Sequence, residues 1–302
     1  MSVSGYAGRT DTGRKRRRNE DAYVVAPPLF AVADGMGGAQ AGEVASKLAA
    51  AALEDTDPGR LTGPERVASL IREANRRVHE RSSTDPATSG MGTTMTVALV
   101  EQDGVVIGHV GDSRAYLVRD DAIEQLTEDH SLVNELLKSG RLSPSEADTH
   151  PQRSVITRAV GTDPEVDVDA FTVDARAGDV FLLCSDGLTD MVDDAAILSA
   201  VAQDSGDLDR VTKALVAAAN RGGGEDNITV VAFAIGEDAA DELGDTATMA
   251  AIAETEPEEE TRESAAPVPP PPVGSAARVR LVLAALVLLA VGTALLVWGL
   301  VR

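Results

Sequence analysis

Four times along the chain an aspartate stands beside a glycine, serine or asparagine at the edge of an apolar, strand-like run: Asp34-Gly35, Asp112-Ser113, Asp186-Gly187 and Asp226-Asn227. The pattern demands a fold in which strand ends gather at one place, where a carboxylate points into a cleft and glycine lets backbone approach a bound group. Carboxylates crowded together repel, and one cleft holds several only when divalent cations supply the opposite charge. Oxygen donors without His or Cys favour magnesium or manganese over zinc. Each motif alone also reads as a turn; the four together predict one hard-metal site drawn from distant parts of the chain.

Apolar, β-branched runs at residues 29–33, 93–100, 105–110, 115–118, 180–184 and 228–235 read as strands, several separated by turn signals such as Asp103-Gly104. Helical spacing marks residues 41–53, 64–81, 132–138 and 208–220. Hairpin-length connections and helices that come in sets favour antiparallel sheets covered by helices over a regular βαβ repeat. The single cysteine, Cys184, lies inside an apolar run and reads as a buried structural thiol.

The 302 residues suffice for one sizeable catalytic domain plus appendages. The formal charge of -22 is unevenly spread, with eleven acidic residues against Arg262 alone in 237–263. Such acidity argues against nucleic acid as a partner. The basic run from Arg14 to Arg18 is the local exception and reads first as a solvated loop. Residues 281–301 form a stretch of 21 without charge, which as a helix at about 1.5 Å per residue crosses roughly 30 Å, one hydrocarbon core. Arg278 and Arg280 precede it and Arg302 follows, so the positive-inside bias predicts a single-pass cell-membrane protein whose catalytic part is cytoplasmic. The polar N-terminus, without a signal peptide, agrees. Three parts follow: a catalytic domain over 1–236, an acidic and then proline-rich disordered tether over 237–277, and a transmembrane helix with basic flanks over 278–302. Thr246 and Thr248 read as tether filler rather than phosphorylation sites.

Arg16-x-x-Asn19-Glu20-Asp21, Asp34-Gly35-Met36-Gly37-Gly38, Gly92-Thr93-Thr94, Gly111-Asp112-Ser113-Arg114, His150-Pro151-Gln152-Arg153, Ser185-Asp186-Gly187-Leu188 and Glu225-Asp226-Asn227 occur in that order. As a set they resemble the bacterial branch of the protein phosphatase 2C family of metal-dependent phosphatases. The resemblance implies an α+β fold, a four-layer α-β-β-α sandwich of two antiparallel sheets flanked by helices, to which the C-terminal transmembrane helix is added. It implies hydrolysis of phosphoserine and phosphothreonine by a water bridging two Mn2+ or Mg2+ ions, with room for a third ion. In that scheme Asp34 bridges the ions, the Gly35 carbonyl joins one of them, and Asp186 and Asp226 hold the other. Glu20 and Asp21 act through bound waters, and Asn227 supports Asp226. Asp112 belongs to the third site with Asp186, joined by Ser154 of a flap over 127–158, and Arg16 clamps the substrate phosphoryl group. Phosphorylated proteins, membrane Ser/Thr kinases among them, are the partners implied.

The chain departs from eukaryotic relatives at Met36, where they carry a histidine proposed as general acid. His130 and His150 read as structural, although an imidazole titrates near neutral pH. Two other readings stay open: a non-catalytic membrane-tethered phosphoprotein-binding module, and a partner-switching phosphatase acting on an anti-sigma antagonist. The complete acidic set speaks against the first and Arg16 against the second.

Overall fold

Successive side chains in a strand point to opposite faces, so a strand apolar at every position must be covered on both. Residues 230–235 and 180–184 are of that kind, and they build the middle of the protein. The computed structural model describes residues 1–37, 41–56, 59–147, 150–204 and 206–237. Its strands are β1 (Ser2–Asp11), β2 (Asp21–Ala26), β3 (Leu29–Met36), β4 (Gly92–Thr93), β5 (Met95–Glu101), β6 (Gly104–Val110), β7 (Arg114–Arg119), β8 (Ala122–Gln125), β9 (Asp169–Val173), β10 (Val180–Cys184) and β11 (Ile228–Gly236). Its helices are α1 (Ala41–Asp55), α2 (Gly63–Thr84), α3 (Leu132–Lys138), α4 (Pro144–Ala147), α5 (Asp186–Thr189), α6 (Asp194–Asp204) and α7 (Leu208–Gly222). One antiparallel sheet runs β1-β11-β10-β7-β8, and the other β2-β3-β5-β6-β9, with β4 paired to β3.

Three apolar layers follow from the alternation. Between the sheets, Phe30, Val32 and Ile107 meet Phe181, Leu183, Val231 and Phe233. There Phe233 stacks on Phe30 at 4.2 Å and on Phe181 at 5.2 Å between ring centroids. The opposite faces of the same strands are covered by α1 and α2 through Ala31, Ala33, Val97 and Ile71, and by α6 and α7 through Leu182, Cys184, Ile197 and Leu215. Each such fully buried large apolar side chain contributes roughly 1.5–3 kcal/mol relative to exposure. Two antiparallel sheets flanked by helices are thus what the chain adopts, and Cys184 is a buried free thiol, as expected.

The strand boundaries differ from the sequence reading where chemistry is concentrated. β3 does not stop at Ala33 but continues through Asp34 and Gly35 to Met36, because Gly35 and Met36 pair with β4. The run over 93–100 is broken at Thr94, whose N–H donates to the Asp34 carbonyl at 2.8 Å. β1, β2, β8, β9 and α6 were not apparent from the apolar pattern. β1 carries two glycines and several polar residues, and pairs only with β11 at the edge of its sheet. Residues 238–302, with most of the expected tether and the expected transmembrane helix, lie outside the described residues. Among those described, no helix is long and apolar enough to cross a membrane.

Candidate active site

Strand register gathers the aspartates. Asp21 pairs with Asp34, Met95 with Val110, and Cys184 with both Arg114 and Val230, so residues 21, 34, 112, 186 and 226 all fall at one end of their sheets. Hydrogen bonds between the sheets make it the same end. Asp21, from one sheet, accepts on Oδ2 from Ser185 Oγ at 2.9 Å and from Thr229 Oγ1 at 2.6 Å, both from the other.

Asp34 is fixed through its backbone. Its N–H donates to Thr94 Oγ1 at 2.9 Å and its carbonyl accepts from Thr93 Oγ1 at 2.8 Å. Its carboxyl titrates well above the ordinary range, first because it is removed from water and then because Asp21, Asp186, Asp112 and Asp226 repel its charge. Asp186 is pushed the same way by burial, then by Asp112 and Asp226. Burial raises Asp21 to about 6 and Asp112 to about 7, and raises Glu20 against the pull of Arg16. Oδ1 of Asp21 and Oδ1 of Asp186 are buried without a hydrogen-bond partner. Acceptor oxygens left bare beside like charges are an expensive arrangement for a protein alone.

These residues fit hard divalent cations: the orphaned atoms are oxygens, and neither histidine near the cluster turns toward it. Among the described residues, no three His, Cys, Asp or Glu side chains close around a single point. Oxygen donors of this kind suit hard ions such as magnesium, which keep several of their waters.

Glycine follows two of the aspartates for a reason of space rather than of backbone angle. A Cβ on Gly35 would lie 2.1 Å from the Gly42 carbonyl oxygen, and one on Gly187 2.0 Å from that of Asn227. Asn227 uses its whole amide: Oδ1 accepts from Glu20 N–H at 2.7 Å, and Nδ2 donates to the carbonyls of Thr12 at 2.9 Å and Arg18 at 2.8 Å. Its backbone N–H donates to Asp226 Oδ1 at 2.8 Å. It thus holds the Asp226 carboxylate and also ties the N-terminal loop carrying Arg16 and Glu20 to β11. Arg16 stands against Asp226, with Nη2 donating to Oδ2, and its side chain is 49% exposed. The sequence reading aimed it at a substrate phosphate; in this structure the nearest anion to the guanidinium is that carboxylate.

A cleft of about 630 Å³ opens beside the cluster, with Asp112, Asp186 and Ser154 among its lining residues. The flap crosses it, and Arg153 pairs with Asp190 at 3.5 Å. Both flap ends are tied to β9, since His130 Nε2 lies 3.1 Å from one Asp169 oxygen and Arg158 Nη1 donates to the other at 2.7 Å. His130 Nδ1 accepts from the Gly111 N–H at 3.0 Å, which places the ring proton on Nε2. Burial lowers the pKa of His130, and that of His109 to about 4, so both rings are neutral and structurally committed. His150 Nδ1 accepts from the Gln152 N–H at 3.2 Å. Met36 packs its Cε beside Gly92. Sequence reasoning assigned no part to Thr94, Ser185 or Thr229, which orient Asp34 and Asp21; the one available signal was a hydroxyl residue within or beside a strand.

Residues 13–219 match the family model Protein phosphatase 2C. The chain is similar to serine/threonine phosphatase stp of Listeria innocua, 42% identical over 234 residues, which is 74% of this chain and 92% of that protein. It is 43% identical over 231 residues to serine/threonine protein phosphatase PstP of Mycobacterium tuberculosis, covering 76% of this chain and 44% of that longer protein. Among solved structures, Mycobacterium tuberculosis PstP/Ppp superposes with a TM-score of 0.73 at 41% identity, over 78% of this chain and 100% of that one. The PstP catalytic domain in complex with two manganese ions gives 0.69 at 39% identity, over 77% and 98%.

Proposed function

The chain belongs to the protein phosphatase 2C family and is a protein serine/threonine phosphatase, a hydrolase, and we propose that it works with two divalent cations, Mn2+ or Mg2+, held by Asp34, the Gly35 carbonyl, Asp186 and Asp226. The observation that carries this reading is the pair of buried, partnerless carboxylate oxygens on Asp21 and Asp186 inside a cluster without His or Cys. When bound, such cations acidify a water for attack on phosphorus and neutralise charge on the phosphoryl oxygens. This chain's own residues do the positioning. Thr93 and Thr94 hold Asp34, Ser185 and Thr229 orient Asp21 toward it, and Asn227 docks the loop bearing Glu20 and Arg16. Glu20 and Asp21 act through water, and Asp112 with Ser154 borders a third cation position facing the cleft. The test is whether the full chain hydrolyses a phosphothreonine peptide with manganese; no turnover sinks the reading in favour of a phosphoprotein-binding module.

Arg16 orients the phosphoryl group. A planar guanidinium offers paired donors to phosphate that a lysine lacks. Arg16→Ala is expected to raise KM for phosphopeptides roughly tenfold with little change in kcat, the scale of one or two hydrogen bonds to a charged group. Initial rates on a peptide series check it, and an unchanged KM removes Arg16 from substrate binding. It would also favour a partner-switching phosphatase, whose branch generally lacks that arginine.

The uncharged stretch 281–301 and its basic flanks support anchoring in the cell membrane with the catalytic domain cytoplasmic, close to membrane Ser/Thr kinases as substrates. Deleting residues 281–301 is expected to move the protein from the membrane to the soluble fraction with turnover retained. Persistence in the membrane fraction, or loss of activity in detergent-free buffer, overturns the anchor.

A further inference from the structure

In a chain of net charge -22, cations gather where β1 meets α7. A groove of about 460 Å³ there is lined by Arg9, Arg14, Lys213 and Arg221, with Asp11 and Asn220 between them. Lys213, Ala217 and Arg221 follow at four-residue spacing and so share one face of α7, the small Ala217 leaving the floor open. Asp11 offsets only part of these four charges, so the lining stays net positive. Its Oδ1 already accepts from the Gly13 N–H at 2.9 Å and from Asn220 Nδ2 at 3.1 Å. Arg9 pairs with Asp209 at 2.9 Å, yet its Nε is buried with no partner. Among the described residues, Arg14, Lys213 and Arg221 take part in no salt bridge.

The groove adjoins the catalytic loops. Arg14 and Lys15 donate their N–H groups to the Gly224 carbonyl at 2.7 and 3.1 Å, two positions before Asp226. Arg14 itself stands two residues before Arg16, a separation of at most about 7 Å along extended chain. The groove therefore lies within reach of a few residues of polypeptide from a phosphoresidue held at Arg16.

We infer that this groove binds a second anionic group, a phosphate or a pair of carboxylates, carried by the same substrate polypeptide a few residues from the phosphate that is hydrolysed. The enzyme then prefers multiply phosphorylated or acidic phosphosegments. The inference rests on the phosphatase reading above, and its chemistry is charge pairing on a surface that excludes no particular sequence. Two exposed cations meeting a dianion amount to about fivefold in KM, since exposed pairs are individually weak and screened by salt.

The experiment uses the full chain, as wild type and with Lys213→Ala plus Arg221→Ala. Both residues are exposed on α7 and outside the catalytic cluster. Three phosphothreonine peptides are compared, bearing alanine, a non-hydrolysable phosphonate, or two glutamates three to five residues away on either side. Expected for wild type is a KM about fivefold lower for the phosphonate peptide than for the alanine peptide at equal kcat. That preference should vanish in the double variant, whose KM for the alanine peptide stays unchanged. The glutamate peptide distinguishes the sources: an equal preference assigns the groove to acidic segments at large, a weaker one to a second phosphate. Hydrolysis of every peptide without preference, or a preference that survives the double substitution, overturns the groove and leaves the phosphatase reading intact. If nothing is hydrolysed that reading falls, and the groove is judged by peptide dissociation constants, where the same fivefold difference and its loss are expected. Binding to phosphatidylserine vesicles that the double variant loses, with peptide kinetics unchanged, overturns the inference in favour of a lipid surface.

Discussion

Asp186→Asn is expected to lower turnover at saturating manganese by a thousandfold or more, about 4 kcal/mol of transition-state stabilisation, while making the cation-free protein more stable. Both effects come from the same atoms. Asp186 is buried, one of its oxygens has no partner, and Asp112 and Asp226 repel its charge. An amide of the same shape removes the repulsion and with it the reason for a cation to bind. For a domain of this size each kcal/mol so recovered raises Tm by about 2–4 °C. The pH dependence has a definite sign. Carboxylates of the unfolded chain titrate near about 4, whereas in the folded protein Asp21 is raised to about 6 and Asp112 to about 7, with Asp34 and Asp186 raised as well. Between those limits the folded state holds protons that the unfolded state has released, so stability falls as pH rises from about 4 toward 7. Thermal melts in chelator should therefore give a higher Tm near pH 5 than near pH 7.5, with the difference shrinking in Asp186→Asn and on adding manganese. A cation-free protein no less stable at pH 7.5, together with a destabilised Asp186→Asn, would contradict the electrostatic account.

The second large effect belongs to a residue with no side chain. Gly187→Ala is expected to cost more than about 4 kcal/mol, the range of exceptional single substitutions, because the new methyl would lie 2.0 Å from the Asn227 carbonyl oxygen. Gly187 has no left-handed φ to explain its identity; close approach of two backbones does. Relief by shifting Asn227 is blocked, since its amide is bonded to Thr12, Arg18 and Glu20. Gly140→Ala is the control: its φ is +68° but nothing lies within 4 Å of the added atom, so a loss of about 1 kcal/mol is expected. Urea denaturation of the two variants separates crowding from backbone strain, and equal losses would show that crowding at Gly187 is not the cause.

Side-chain chemistry was more legible in the sequence than the scaffolding around it. Strands buried on both faces, such as β10 and β11, declare themselves by unbroken apolar runs. β1 does not, because its pairing is supplied by β11 rather than by anything in its own Gly- and Ser-containing segment. The aspartates stood out because a carboxylate beside a turn residue is unusual in an apolar context. Thr94 and Ser185 stood in recognised motifs without an assigned part, and Thr229 was not singled out, since only the fold reveals which hydroxyl is aimed at a carboxyl or its backbone. The phosphate-clamp role of Arg16 came from the family resemblance, but its pairing with Asp226 depends on how the 12–20 loop is pinned by Asn227, 207 positions further along from Glu20.

An interior strand of one sheet is also the last of the described strands to be synthesised. β11 sits between β1 and β10, contributes Phe233 to the inter-sheet stack, and begins two residues after Asp226. A ribosome that has released everything up to α7 has made a polypeptide with an open seam at its middle and an incomplete acidic cluster. With Asp226 holding a cation as proposed, dephosphorylating power is expected only on delivery of residues 226–236, and an interrupted translation product is expected to be inert rather than a loose hydrolase.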